Sequence, residues 1–128
     1  MQYTKEIPVI KKTEVLVVGA GPAGIGAALA SARHGSKTFL FDQNGCVGGM
    51  ATIGMVGPFM TSFDANAENM VVRGIFEELV DDMVTAGKAV HPKDVHNGEP
   101  YSSFSVLDTT MLDLLVLNIL SFFVQINY

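Results

Sequence analysis

VLVVGAGPAGIGAALASARHGSKTFLFD, residues 15–42, decides how this chain folds. With Glu14 before it, EVLVV is a short apolar and β-branched run without alternation. That is the pattern of a strand buried on both faces. The run stops at GAGPAG. From Ile25 the chain is dense in alanine, which favours helix and lets a helix lie close to a sheet. Gly35 marks the expected helix end, with Arg33 and His34 placed against its C-terminal partial charge. Lys37 to Asp42, KTFLFD, reads as a second buried strand. Strand, glycine turn, helix and strand together fill the 28 residues from Val15 to Asp42.

Gly19, Gly21 and Gly24 form G-x-G-x-x-G. Alone the pattern is weak, because glycine-rich turns are common. Here it leaves a predicted strand, opens a predicted helix and is followed by a strand ending in an acid, which is the context a dinucleotide site requires. Gly19 permits the tight turn, Gly21 lets a pyrophosphate approach bare backbone, and Gly24 lets the helix pack on the strand. Pro22 suits the first helical turn, where a missing N–H costs little. Ala23 lies in the same turn, whose N–H groups favour an anion. Asp42, eighteen residues after Gly24, stands where a carboxylate accepts hydrogen bonds from the adenosine ribose; a plain strand-end charge is the alternative.

FAD and NAD share their ADP half, so this first unit does not separate them. Just beyond it, FDQNGCVGGM (residues 41–50) brings a second glycine pair, Gly48-Gly49. FAD extends further past its pyrophosphate, and a side-chain-free backbone there tilts the reading toward it; a structural turn is the alternative. Gly45, Gly48, Gly49, Gly54 and Gly57 all fall within residues 43–64, where the backbone must turn tightly or approach something closely.

Beyond this region the signals are coarser. ENMVVRGIFEELVDDMVTAG reads as an amphipathic helix. Ile75, Phe76, Leu79, Val80 and Met83 form one face, Glu77, Glu78, Asp81 and Asp82 a solvated one, and Gly87 is the stop. Residues 88–107 read as a polar connection. Asp108 is a candidate cap for a helix from Thr109, and FFVQINY a candidate third strand. Residues 1–12 are a lead-in, and residues 13–128 one domain.

Composition narrows the function. The chain has 128 residues, 48% hydrophobic and 16% charged, which is globular rather than disordered. A net charge of −5 argues against a nucleic-acid partner. The single cysteine, Cys46, excludes an intrachain disulfide, and the absence of a signal-like N-terminus fits a cytoplasmic location. Met111 to Ile126 is apolar but is interrupted by Asp113, Asn118, Ser121 and Gln125, and falls short of the roughly 20 residues of a spanning helix. His91 and His96 flank Asp94 in the polar connection and read as surface residues; with no third ligand at useful spacing, no metal site is expected.

VLVVGAGPAGIGAALASARHGSKTFLFDQNGCVGGMATIGMVGPFM resembles the N-terminal segment of FAD-dependent oxidoreductases of the glutathione-reductase-like superfamily. More narrowly, it looks like the bacterial group in which the acid-ending strand runs into a GGMAT-type turn. RGIFEELVDDMVTAG is similar to the helix that follows in that group, and the likeness covers residues 10–110. The resemblance implies an α/β, Rossmann-type FAD/NAD(P)-binding domain, a parallel sheet with flanking helices. It implies that Gly19, Gly21 and Gly24, with Pro22 and Ala23 between them, cradle the FAD pyrophosphate, and that Asp42 holds the ribose. Gly48, Gly49, Met50 and Ala51 would run along the pyrophosphate and ribityl part, and residues 52–60 would head toward the flavin ring. There are two departures. Gln43 and Asn44 stand where many relatives carry a basic residue, and Cys46 replaces a bulkier apolar one; it reads as a small packer, since a redox role needs a partner thiol.

The expected function is therefore the FAD-binding front part of an oxidoreductase that moves hydride or electrons between FAD and a small-molecule substrate not identified by these residues. Relatives of this kind run to several hundred residues, so the domain is expected to be incomplete, a truncated front end with the substrate domain absent. No catalytic side chain is assigned. Two other readings stay open: an NAD-binding dehydrogenase domain, for which Asp42 would favour NAD over NADP, and an inactive fragment or one half of a two-chain assembly. A parallel sheet covered on only part of its faces predicts exposed apolar surface and self-association.

Overall fold

The computed structural model describes residues 4–59, 62–66, 68–94, 104–106 and 125–127. Strand β1 (Val15–Val18) leads through the glycine turn into helix α1 (Pro22–Arg33), which returns to strand β2 (Thr38–Phe41). The two strands pair in parallel, Val15 opposite Thr38 and Val18 opposite Phe41. Pro22 begins α1 where its lack of an N–H is harmless. The helix ends as its sequence predicts. His34 is the cap, its Nδ1 lies 2.7 Å from the Ala30 carbonyl oxygen, and Gly35 follows at φ +89°.

The expected third strand is present in its described part. Strand β6 (Gln125–Asn127) pairs in parallel with β2, giving the order β1-β2-β6. The helix expected from Thr109 lies outside the described residues. Between β2 and β6 the chain builds a second, antiparallel sheet. Strand β3 (Pro58–Phe59) pairs with β5 (Phe104–Val106), which also pairs with β4 (Ala89–Val90). Residues 88–107 are therefore not merely a connection. Two- and three-residue strands set by long-range pairing are too short to leave a periodic signature.

Helix α2 (Ile75–Thr85) is shorter than its sequence pattern. Its N-cap is Gly74, and upstream Phe63 and Met70 instead form an isolated antiparallel bridge. The expected faces hold. Val80 and Met83 are buried, while Ile75, Phe76 and Leu79 pack on the core. The core joins α1 (Ile25, Ala28, Leu29) to Leu40 of β2, to Val47 and to α2. At the far ends of the helices, the Arg33 guanidinium makes a two-pronged contact with the Glu78 carboxylate, at 2.8 and 2.7 Å. This bond holds the Glu78 carboxyl below its ordinary range.

The sheet differs from its sequence reading in one respect. Thr38 and Leu40 point into the core, but Leu16 (59% exposed), Val18 (71%) and Phe41 (46%) lie on an open face. A strand sequence buried on both faces is here covered on one, because the described residues place α1 on a single side of the sheet. The apolar exposure expected from sequence is on this face.

Candidate functional site

The site is built where β1 and β2 end side by side. Gly19 leaves β1 at φ +99°, a conformation a side chain would resist, and its N–H donates to the Phe41 carbonyl (2.8 Å). That bond ties the turn to the end of β2 and brings Asp42 beside it. The Ala20 N–H donates to Asp42 Oδ2, while Asp42 Oδ1 accepts from the Asn44 N–H and from Asn44 Nδ2, each at 2.8 Å. These donors, Ala20 first and Asn44 next, hold the Asp42 carboxyl below the ordinary carboxylate range, outweighing the opposing effect of burial. Asp42 is thus an anion aimed at the glycine turn, rather than a charge pointing away into solvent.

The three glycines of the motif are not equivalent. A Cβ on Gly24 would lie 1.7 Å from the Gly19 carbonyl oxygen, so this position fixes how closely α1 approaches the turn. A Cβ on Gly21 would meet nothing within 4 Å. Gly21 is also the helix N-cap, with no side-chain cap and no acid in the first turn that follows through Pro22, Ala23 and Gly24. The first N–H groups of a helix have no intrahelical acceptors, so open space and unpaired donors coincide there.

The second glycine turn is fastened to the first. The Gly48 N–H donates to the Ala20 carbonyl (2.8 Å), so Ala20 is held at its N–H by Asp42 and at its oxygen by Gly48. Gly48 (φ +101°) and Gly49 (φ +54°) both adopt left-handed backbone, and a Cβ on Gly49 would come within 3.0 Å of Gly21 Cα. Gly49, Met50 and Ala51 form one turn of 3-10 helix, closed by Thr52, whose hydroxyl donates to the Val47 carbonyl (2.6 Å). Ala51 is buried, whereas Met50 (63% exposed), Ile53 (51%) and Met55 (78%) project outward, Met55 at φ +52°.

All ten residues singled out from sequence therefore lie on two adjoining turns and the acid between them. Sequence reasoning missed Ala20, and placed Thr52 only within residues 52–60 without foreseeing its bond to Val47. Ala20 is only 1% exposed, and its small side chain between two glycines was its one signal. Cys46 is half-buried, and it is Val47, fully buried, that packs into the core. His91, expected at the surface, is half-buried. Its side chain is 11% exposed, with Nε2 3.6 Å from Asp81 Oδ1 and Nδ1 accepting from the Lys93 N–H (3.1 Å); His96 lies outside the described residues. No group of three metal-ligating side chains occurs among the described residues, and no helix among them is long and apolar enough to cross a membrane.

An apolar cavity of about 150 Å³ lies between the turns, α1, α2 and β3. Pro22, Gly26, Gly48, Phe59 and Phe76 are among its walls, and Asp42 is not. Pro22, Gly48 and Ala51 belong both to its walls and to the two turns.

Comparison with known proteins bears on this geometry. The profile described as "FAD dependent oxidoreductase" matches residues 14–122. The chain is 32% identical over 81 residues to a thiamine thiazole synthase of Aeropyrum pernix, covering 63% of this chain and 27% of that protein. It is 41% identical over 54 residues to an NADH oxidase of Thermoanaerobacter brockii, covering 42% of this chain and 8% of that protein. The chain thus spans about a quarter or less of these relatives. Among solved structures, THI4 of Thermovibrio ammonificans superposes with a TM-score of 0.53 at 16% identity, over 90% of this chain and 38% of that one. At that identity the likeness concerns the fold, an α/β arrangement with a parallel sheet.

Proposed function

The chain belongs to the FAD dependent oxidoreductase family, and we propose that residues 14–51 are a Rossmann-type cradle for the ADP half of FAD. The cradle would serve an enzyme that moves hydride or electrons between FAD and a small-molecule substrate. FAD is the cofactor the family requires, and its isoalloxazine supplies the redox chemistry while the protein supplies position and electrostatics.

The residues present fit that group. Gly21 offers open backbone at an uncapped helix N-terminus, where a pyrophosphate finds unpaired N–H donors and a favourable partial charge. Pro22 and Ala23 set the first turn, and Gly24 holds it against Gly19. Asp42 is ionised and beside the turn, as a ribose acceptor must be. A carboxylate there disfavours a 2′-phosphate. Gly48 and Gly49 bring a second stretch of bare backbone against Gly21, which supports the longer cofactor over NAD. Met50, Ala51 and the outward Ile53 and Met55 then lead away from the pyrophosphate, an apolar path suited to the ribityl chain and ring.

One observation carries the reading: the carboxylate of Asp42 is hydrogen-bonded into the very turn whose Gly21 is open. The test is titration of the purified chain with FAD, followed by quenching of flavin fluorescence, with NAD as competitor and circular dichroism as the folding control. Saturable FAD binding that Asp42→Ala weakens at least tenfold supports the assignment. Folded protein that binds NAD but not FAD overturns it.

A further inference from the structure

Asp42 has more donors around it than a strand-end carboxylate needs. A carboxylate offers about four lone-pair positions, two on each oxygen. Oδ2 carries the Ala20 N–H, Oδ1 carries the Asn44 N–H and Asn44 Nδ2, and the Gln43 N–H bears on the same carboxylate. Oδ1 already holds two donors, both from Asn44. A ribose diol presents two neighbouring hydroxyl donors, which a carboxylate takes best with one on each oxygen. The sugar therefore finds the oxygen it needs for one of its hydroxyls already taken.

The Ala20 and Asn44 donors are not equally easy to displace. The Ala20 N–H belongs to a residue fixed at both its N–H and its carbonyl. The Asn44 N–H follows from the backbone turn that Asp42 begins, two residues on, a local bond of Asx type. Asn44 Nδ2 sits on an exposed side chain and leaves by a rotamer change. From this arrangement we propose that the Asn44 amide is an internal stand-in for one ribose hydroxyl. It occupies Asp42 Oδ1, must be displaced when an adenosine diphosphate group binds, and so lowers the affinity of the site. Asn44 is a specificity-determining residue in this sense, and the inference rests on Asp42 being the ribose acceptor.

Removing the amide should help a ligand that carries both hydroxyls and be neutral to one that carries a single hydroxyl. The experiment compares the wild-type chain with Asn44→Ala, using ADP and 2′-deoxy-ADP as probes in calorimetric titrations and FAD in fluorescence titrations. Asn44→Ala should bind ADP and FAD roughly three- to tenfold more tightly, the weight of one exposed hydrogen bond to a charged acceptor. Binding of 2′-deoxy-ADP should not change. A readout independent of binding is the Asp42 carboxyl titration followed by carbon NMR, which should move upward in Asn44→Ala because a donor to the anion is gone. Equal or weaker ADP binding by Asn44→Ala overturns the proposal, as does an unmoved Asp42 titration. If ADP binds the wild type and Asp42→Ala abolishes that binding, such a failure belongs to Asn44 alone. If neither ADP nor FAD binds the wild type, the nucleotide reading fails and takes this proposal with it.

Discussion

Gly24→Ala and Gly26→Ala make the same chemical change two residues apart in α1 and should have opposite effects. Both replace a helical glycine by alanine, worth about 1 kcal/mol in helix propensity. At Gly26 a Cβ meets nothing within 4 Å, and the position lines the apolar cavity between α1 and α2. The propensity gain is kept there, because the new methyl meets no obstacle. At Gly24 the Cβ would stand 1.7 Å from the Gly19 carbonyl oxygen, where ordinary contact begins at 3.4 Å. The helix would have to retreat by about the difference, roughly 1.7 Å, since this is backbone and not a yielding side chain. Gly19 cannot give way easily, because its N–H is bonded to Phe41. Overpacking of this kind costs about 1–3 kcal/mol and sometimes more, so the net loss at Gly24 should be about 2 kcal/mol. Urea unfolding followed by circular dichroism, analysed at a common m-value, should separate the two variants by about 3 kcal/mol, with wild type between them. If both shift stability in the same direction, or if Gly24→Ala lies within about 0.5 kcal/mol of wild type, the account of how α1 seats on the turn is wrong.

Two further outcomes follow from the geometry. Gly21→Val should cost about 1 kcal/mol of stability, since φ is −71° and a Cβ meets nothing within 4 Å but valine caps a helix less well than glycine. It should also abolish FAD binding by filling the space a phosphate would take; thermal melts and flavin titration on one sample check both halves. The Arg33–Glu78 pair should stabilise the fold at neutral pH and cease to do so in acid. The folded Glu78 pKa is depressed, so its contribution is complete above the unfolded value of about 4.3 and is lost as pH falls through the folded pKa. The side chains are 30% and 42% exposed, which limits the pair to about 0.5 kcal/mol. Glu78→Gln should therefore differ from wild type near pH 7 and converge with it as pH falls below the folded Glu78 pKa, in denaturant titrations.

Much of the site was legible before the fold was seen, and the reason is local. Each of Gly19, Gly21, Gly24 and Asp42 announces a backbone requirement or a charge at a spacing that one strand, one helix and one strand impose. Asp42 could be predicted to lie beside the turn because parallel neighbours in a strand-helix-strand unit end at the same edge. The second sheet was not legible. Pro58–Phe59, Ala89–Val90 and Phe104–Val106 are too short to show periodicity, and their pairing joins distant segments. The start of α2 was misplaced for a related reason. The apolar residues Met70, Val71 and Val72 fit a helical period, but Met70 pairs across to Phe63, and Gly74 starts the helix.

The sequence by itself determined the strand-turn-helix-strand unit, the glycine positions and the acid, since these depend on steric freedom and spacing within a few residues. Only the tertiary structure decided that Ala20 is clamped between Asp42 and Gly48, that Asn44 shares the carboxylate, and that Arg33 meets Glu78 across 45 residues of chain. It also left Leu16 and Val18 on an open sheet face that their own sequence would bury. Hydrogen bonds and burial are properties of which segments come together. A residue's type limits its partners but does not choose among them.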